Sequence, residues 1–330
     1  MSLLKSPITI NHLRLPNRLV MPPMATAKCD KNGVVSDALC EFYAEKSRGG
    51  YIGLIIMEHC FICRQGKAGE GQLSMAEDSQ LDGLKRLVDG IHVNNTRVFA
   101  QINHSGIVAN PKITGMEAVG PSSVAAPNLP APEVMPREMT LQEIADAKES
   151  FVAAALRVKK AGYDGVEIHS AHRYLLNQFY SPLTNHRTDA YGGELSNRIR
   201  LHVEIIRAVR EAVGPDYPIA IRLGACDYMD GGSTIKDAVT ACQAFEAAGA
   251  DLLDISGGFC SYQHPTNKEP GYFRDATASI RKGVKIPVIL TGGIVEGSSA
   301  ESLLADGAAD MIGVGRAILK DSDWAKNNMA

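Results

Sequence analysis

Short apolar runs recur along the chain, each ending in small or polar residues, and they limit the fold more than any other feature. They are LVMPP (19–23), IGLIIME (52–58), RVFAQIN (97–103), GVEIH (165–169), IAIRL (219–223), LLDIS (252–256), PVILTGG (287–293) and MIGVG (311–315). Runs this continuous suit parallel strands buried on both faces, because helices cover the two sides of such a sheet.

Helical patterns lie between them. Ser36 to Lys46 places Leu39, Phe42 and Tyr43 on one face, and Leu81, Leu84, Val88 and Ile91 form a second stripe. Thr140 and Glu143 make a capping box for a helix carrying Ile144, Ala147, Phe151, Ala155 and Val158, with Gly162 as its stop. Ser196 is expected to begin a helix with Ile199, Val203, Ile206 and Val213, stopped by Gly214. Thr234 and Asp237 open the next, and Ser298 with Glu301 forms a second capping box.

Strands alternating with helices over 1–330 predict one (β/α)8 TIM barrel domain. An open doubly wound sheet would carry a glycine-rich turn after its first strand. Here that strand runs into Pro22-Pro23-Met24. The glycines suited to phosphate come late, at Gly292-Gly293 and Gly313 to Gly315, where barrels bind phosphate with their last two loops. Two long connections, 107–140 and 176–196, stand out, since long loops in compact domains are usually functional or disordered.

A net charge of −3 gives no basic footprint for nucleic acid. No apolar run is long enough to cross a bilayer. MSLLKSPITINHLRLPNR lacks the apolar core of a signal peptide, so a cytoplasmic location is the default expectation. Seven cysteines, an odd number, fit a reducing compartment. Cys60 and Cys63 form a lone CxxC without a second ligand pair, and wall packing is the expectation for them.

In a barrel the C-terminal strand ends share one face, where active sites lie. Met24, Ala25 and Thr26 follow the first run, Glu58 and His59 the second, and Gln101, Asn103 and His104 end the third. His169, His172 and Tyr174 follow the fourth, and Arg222 sits in the fifth. Gly292-Gly293 can offer backbone N–H groups to an anion, and Arg316 adds a planar fork of donors. Arg222 is costly inside an apolar strand unless an anion faces it. Gln101 is a two-way hydrogen bonder in a similar place. A phosphorylated ring with a hydrogen-bonding edge would use both, and reduced FMN fits through its negative charge near N1.

EIHSAHRYL (167–175) allows three readings. His169 and His172 could join His59 and His104 on a metal, as in a barrel hydrolase. One histidine could be core packing. Or both donate to a substrate oxygen while Tyr174, a phenol of ordinary pKa near ~10, supplies a proton.

LPNRLVMPPM (15–24), FAQINHSG (99–106), PREMT (136–140), GYDGVEIHSAHRYLLNQFYSPLTNHRTDAYGG (162–193), NRIR (197–200), ILTGGI (289–294) and IGVGRAILKD (312–321) together resemble the Old Yellow Enzyme family of FMN-dependent ene-reductases. The resemblance implies that Pro23, Met24, Ala25 and His59 lie along the flavin. It implies that Gln101 and Arg222 hold its pyrimidine edge, and that Gly292, Gly293, Gly315 and Arg316 hold the phosphate. It makes His169 and His172 the clamp on an α,β-unsaturated carbonyl oxygen and Tyr174 the proton donor. The implied reaction is ping-pong: hydride passes from NADH or NADPH to FMN and then to an activated alkene. Ala25, Ala27 and Ile107 depart from residues common in the family and bear on substrate range. With no four-cysteine cluster or second nucleotide fingerprint, direct hydride uptake from the nicotinamide is expected. The alternatives are a metal-dependent barrel hydrolase and a flavin reductase acting mainly on quinones or dyes. A homo-oligomer is left open.

Overall fold

The computed structural model describes residues 2–329. Its centre is a closed barrel of parallel strands. They are β1 (Leu19–Met21), β2 (Leu54–Phe61), β3 (Arg97–Asn103), β4 (Gly165–Ser170), β5 (Ile219–Cys226), β6 (Leu252–Gly257), β7 (Val288–Thr291) and β8 (Met311–Gly313). The strands follow one another around the ring in sequence order, and β8 closes on β1. The (β/α)8 expectation therefore holds, and each apolar run overlaps a strand.

The major helices between the strands are α1 (Asp37–Ser47), α2 (Leu81–His92), α3 (Leu141–Lys160), α4 (Arg200–Val213), α5 (Ile235–Ala248), α6 (Arg274–Gly283) and α7 (Gly297–Ala305). Capping sets several starts: the Ser36 hydroxyl accepts from Leu39 N–H, and Thr140–Glu143 and Thr234–Asp237 form reciprocal capping boxes. Ile144, Ala147, Phe151, Ala155 and Val158 all face the core from α3.

Two expected starts differ. Ser196 lies inside a short turn of helix, Leu195–Arg198, and the long helix begins after a break at Ile199. Ser298 and Glu301 make no capping box, because the Glu301 carboxylate is taken by Ser2 Oγ (2.7 Å) and by the backbone N–H groups of Leu3 (2.6 Å) and Leu4 (2.9 Å). A distant segment offered that carboxylate more donors than its own helix did.

The barrel interior is layered. Val20, Leu54, Phe99, Ala220, Leu252, Ile289 and Met311 fill the N-terminal end, sealed by Ile10 and Leu15 of an antiparallel hairpin (Ile8–Ile10 with Leu13–Leu15). Gly165 belongs to this layer for lack of space: a Cβ there would stand 2.5 Å from the Phe99 ring. Two residues further along each strand, pleating returns to the same face. There the interior turns polar, with Gln101, Glu167, Arg222 and Asp254. A water-poor floor thus lies beneath a charged layer, and the site opens above it.

The long connections contain structure of their own. A two-stranded parallel ribbon, Val119–Gly120 with Arg137–Glu138, crosses 107–140, and a buried helix, Leu175–Tyr180, begins the other.

Candidate active site

A cavity of about 550 Å³ opens at the C-terminal strand ends, within the range of small-molecule sites. The residues assigned to the flavin, its phosphate and the substrate all border it: Pro23, Met24 and Ala25 after β1, His59 on β2, Gln101 on β3, His169, His172 and Tyr174 from β4, Arg222 on β5, Gly292 and Gly293 after β7, and Gly315 and Arg316 after β8. His104 does not line it; its Nδ1 accepts from Gly106 N–H at 3.0 Å and its ring lies against Gly66. The four-histidine metal set is therefore not assembled. Among the described residues no group of three or more His, Cys, Asp or Glu side chains could hold a metal ion. Cys60 is packed in the wall, its thiol pushed well above its ordinary pKa by burial.

His59 owes its aim to a bulge. Met57 pairs with Ala100 and His59 with Gln101, so Glu58 is an extra residue on β2. Glu58 turns away to receive Thr26 N–H (2.5 Å) and Oγ (3.0 Å), which anchors the segment after β1. The sequence suggests residues beyond a strand end here, yet both Glu58 and His59 lie inside β2.

A chain of hydrogen bonds assigns the protons. Ala68 N–H donates to Gln72 Oε1 (2.7 Å), so Gln72 Nε2 is the donor toward His59 Nδ1 (2.7 Å). His59 then carries its proton on Nε2, 3.4 Å from the Tyr174 oxygen. Tyr174 receives there and keeps its own O–H for the cavity. Burial lowers the His59 pKa to about 4, with the Arg222 charge adding to the effect, and the ring is neutral at pH 7. Burial raises Tyr174 above its ordinary value, so its hydroxyl stays loaded.

His169 and His172 meet edge to face, with ring centroids 5.4 Å apart, and Tyr174 stands 5.2 Å from His169. His172 Nε2 is held by Ser256 Oγ at 2.7 Å. His169 Nδ1 is buried without a partner, which leaves Nε2 for the cavity. Burial drives both pKa values well below 6.5. Both rings are therefore held neutral.

Beneath them, Gln101 Nε2 donates to Glu167 Oε1 at 2.7 Å, and Arg222 Nε lies 3.3 Å from Asp254 Oδ2. This last contact is an ion pair with poor hydrogen-bond alignment, for Arg222 Nε and both Asp254 oxygens lack a hydrogen-bonded partner. Glu167 is pushed well above ordinary carboxylate values by burial and then by Asp254; burial also raises Asp254 against the pull of Arg222. Sequence reasoning missed Glu167 and Asp254. Their signal was the one that exposed Arg222, a charge inside an apolar strand.

The far end suits a phosphate. Gly292 (φ 145°) and Gly293 (φ 66°) adopt backbone that favours glycine, and a Cβ on either would fall within 2.9 Å of the Tyr272 ring. Arg316 Nη2 donates to the Tyr272 hydroxyl at 3.3 Å. Thr291 Oγ1 is buried without a partner. Three arginines and no carboxylate line the cavity. An anionic group at one end and a hydrogen-bonding edge over Gln101 and Arg222 match FMN.

The sequence pattern of the NADH:flavin oxidoreductase / NADH oxidase family matches residues 3–328. The chain belongs to this family. It is 40% identical over 324 residues to the NADH oxidase of Thermoanaerobacter brockii, covering 96% of this chain and 49% of that protein. A 2-naphthoyl-CoA reductase complex superimposes with a TM-score of 0.92 at 30% identity, covering 98% of this chain and 52% of the other. The old yellow enzyme homologue of Zymomonas mobilis does so with a TM-score of 0.86 at 26% identity, covering 98% and 91%. The chain thus spans about half the length of the first two. The Old Yellow Enzyme resemblance stands, and the flavin and nicotinamide chemistry expected from the sequence is that of this family. No helix among the described residues is long and apolar enough to cross a membrane.

Proposed function

We propose that this family member uses FMN to reduce activated C=C bonds of α,β-unsaturated carbonyl or related compounds, with NADH or NADPH giving hydride directly in the same cavity. Bound FMN supplies the capacity to accept a hydride and pass it on. Gln101 and Arg222 would hold its pyrimidine edge, and Gly292, Gly293, Gly315 and Arg316 its phosphate, with Pro23, Met24, Ala25 and His59 alongside.

The protein's own part is polarisation, positioning and protonation. His169 through Nε2 and His172 through Nδ1 donate to the carbonyl oxygen of the alkene, where negative charge grows as hydride arrives. Because both rings are already neutral, they act as fixed donors. Tyr174 delivers the proton to the α-carbon, and His59, oriented by Gln72, steadies the phenol oxygen as its charge rises.

The observation that carries this reading is the meeting of His169, His172 and Tyr174 on one wall of the cavity, with His59 beside the Tyr174 hydroxyl. Anaerobic reduction by NADH and by NADPH, followed by reoxidation with enones, nitroalkenes and quinones, tests it. Enones should restore the oxidised flavin spectrum with formation of the saturated product. Reoxidation by quinones or dyes alone would favour a flavin reductase.

A further inference from the structure

The cavity contains a third arginine that the proposed reaction leaves unused. Arg173 stands between His172 and Tyr174 and lines the cavity. Its backbone is left-handed, with φ 72°, directly after His172 at φ 57°. L-residues are strained there, and such backbone persists where surrounding contacts over-determine it. They do so here: Arg173 N–H donates to Asn177 Oδ1 at 2.8 Å, and its carbonyl accepts from Gln178 Nε2. Both partners are fully buried.

Glycine would occupy this backbone without strain. The chain instead keeps a long cation there. Its Nε donates to the Phe259 carbonyl oxygen at 3.3 Å, which leaves the two terminal nitrogens of the fork unused. Arg222 has Asp254 beside it, and Arg316 has Tyr272 and the glycine turn. Arg173 has no carboxylate in the cavity to face. A guanidinium fork is matched best by a planar carboxylate, which it can bind through two parallel bonds.

We propose that Arg173 is a specificity-determining residue that takes a carboxylate carried by the molecule reduced in this cavity. The inference rests on the ene-reductase reading and narrows its substrate class to anionic activated alkenes. The alkene is favoured over the nicotinamide donor as the anion's source by position. Arg173 adjoins the residues assigned to the reacting oxygen and carbon, whereas a dinucleotide's phosphates stand a ribose away from its reacting ring.

The test uses FMN-loaded wild type, Arg173→Gln, Arg173→Lys and Arg173→Gly, the last relieving the backbone strain. Titration calorimetry compares benzoate with benzamide, which have the same shape and cannot be reduced here. Steady-state kinetics compare an enone carrying a carboxylate with its carboxamide twin, and anaerobic mixing measures reduction by each nicotinamide. Arg173→Gln and Arg173→Gly should cut the carboxylate-to-amide ratio by roughly ten- to a hundredfold, the worth of a charge-assisted hydrogen bond. Arg173→Lys, which keeps the charge without the fork, should retain part of it. Equal ratios in all four proteins overturn the proposal, as does a loss confined to the nicotinamide step. If the wild type reduces no enone, the ene-reductase reading fails, while the benzoate ratio still decides the role of Arg173.

Discussion

Replacing Tyr174 by phenylalanine removes one oxygen and leaves the ring packing against His59 and His169 in place. The lost contact to His59 is long, 3.4 Å, so the stability cost should stay within about 1 kcal/mol. The kinetic cost is larger. A positioned general acid contributes ~10²- to 10⁴-fold, which raises the barrier to alkene reduction by roughly 3 to 5.5 kcal/mol. Reduction by the nicotinamide uses no proton from Tyr174 and should change by no more than about threefold, which is under 1 kcal/mol. Anaerobic stopped-flow measurement of flavin absorbance separates the two steps. The pH profile adds a second check. Burial raises Tyr174, so the wild-type oxidative rate should stay level from neutral pH upward and fall only above about 10, as the phenol ionises. The variant should lose that falling limb. His169 and His172 are held neutral, their pKa values lowered by burial, so neither protein should show a limb near 6.5. Equal slowing of both half-reactions, or of neither, would refute the proton-donor assignment.

Three further outcomes follow from the geometry. Gly292→Ala puts a Cβ 2.7 Å from the Tyr272 ring at φ 145°, an overpacking worth ~1–3 kcal/mol; FMN affinity measured by fluorescence should fall about tenfold or more, and unchanged retention would contradict the phosphate turn. Asp254→Asn and Arg222→Met should each cost ~3–5 kcal/mol in urea denaturation of the FMN-free protein, and together much less than the sum, because each alone strands a buried partner; additivity would show the pair to be uncoupled. Arg173→Gly should leave stability unchanged or raise it by up to about 1 kcal/mol, since relief of left-handed strain outweighs the entropy glycine adds to the unfolded chain; a clear fall in Tm would mean that the side chain holds the loop.

Much of the site was legible because strand ends converge in a barrel. Once the runs ending near Met24, His59, Gln101, His169 and Arg222 are strands, closure brings those residues to one mouth. The legible part stopped where a residue's partner came from a distant segment. Glu301 matched a capping box by spacing, but Leu3 and Leu4 supplied better donors. Gln72 lies in a loop with no periodic signal, yet it sets the proton position on His59. Glu167 was visible in EIHSAHRYL as the residue two before His169, on the same strand face. Its role emerged only with Gln101 bonded to it and Asp254 nearby.

The sequence by itself determined the alternation of strands and helices, the buried face of each, and the chemical inventory at the strand ends. These follow from periodicity and covalent order, which act over a few residues. Tertiary structure alone decided how that inventory is wired. It set which carboxylate faces Arg222, which nitrogen of His59 carries the proton, and that Arg173 is held on strained backbone with its fork unused. Those outcomes depend on loop closure and on the desolvation of charges, and both arise only when distant segments pack together.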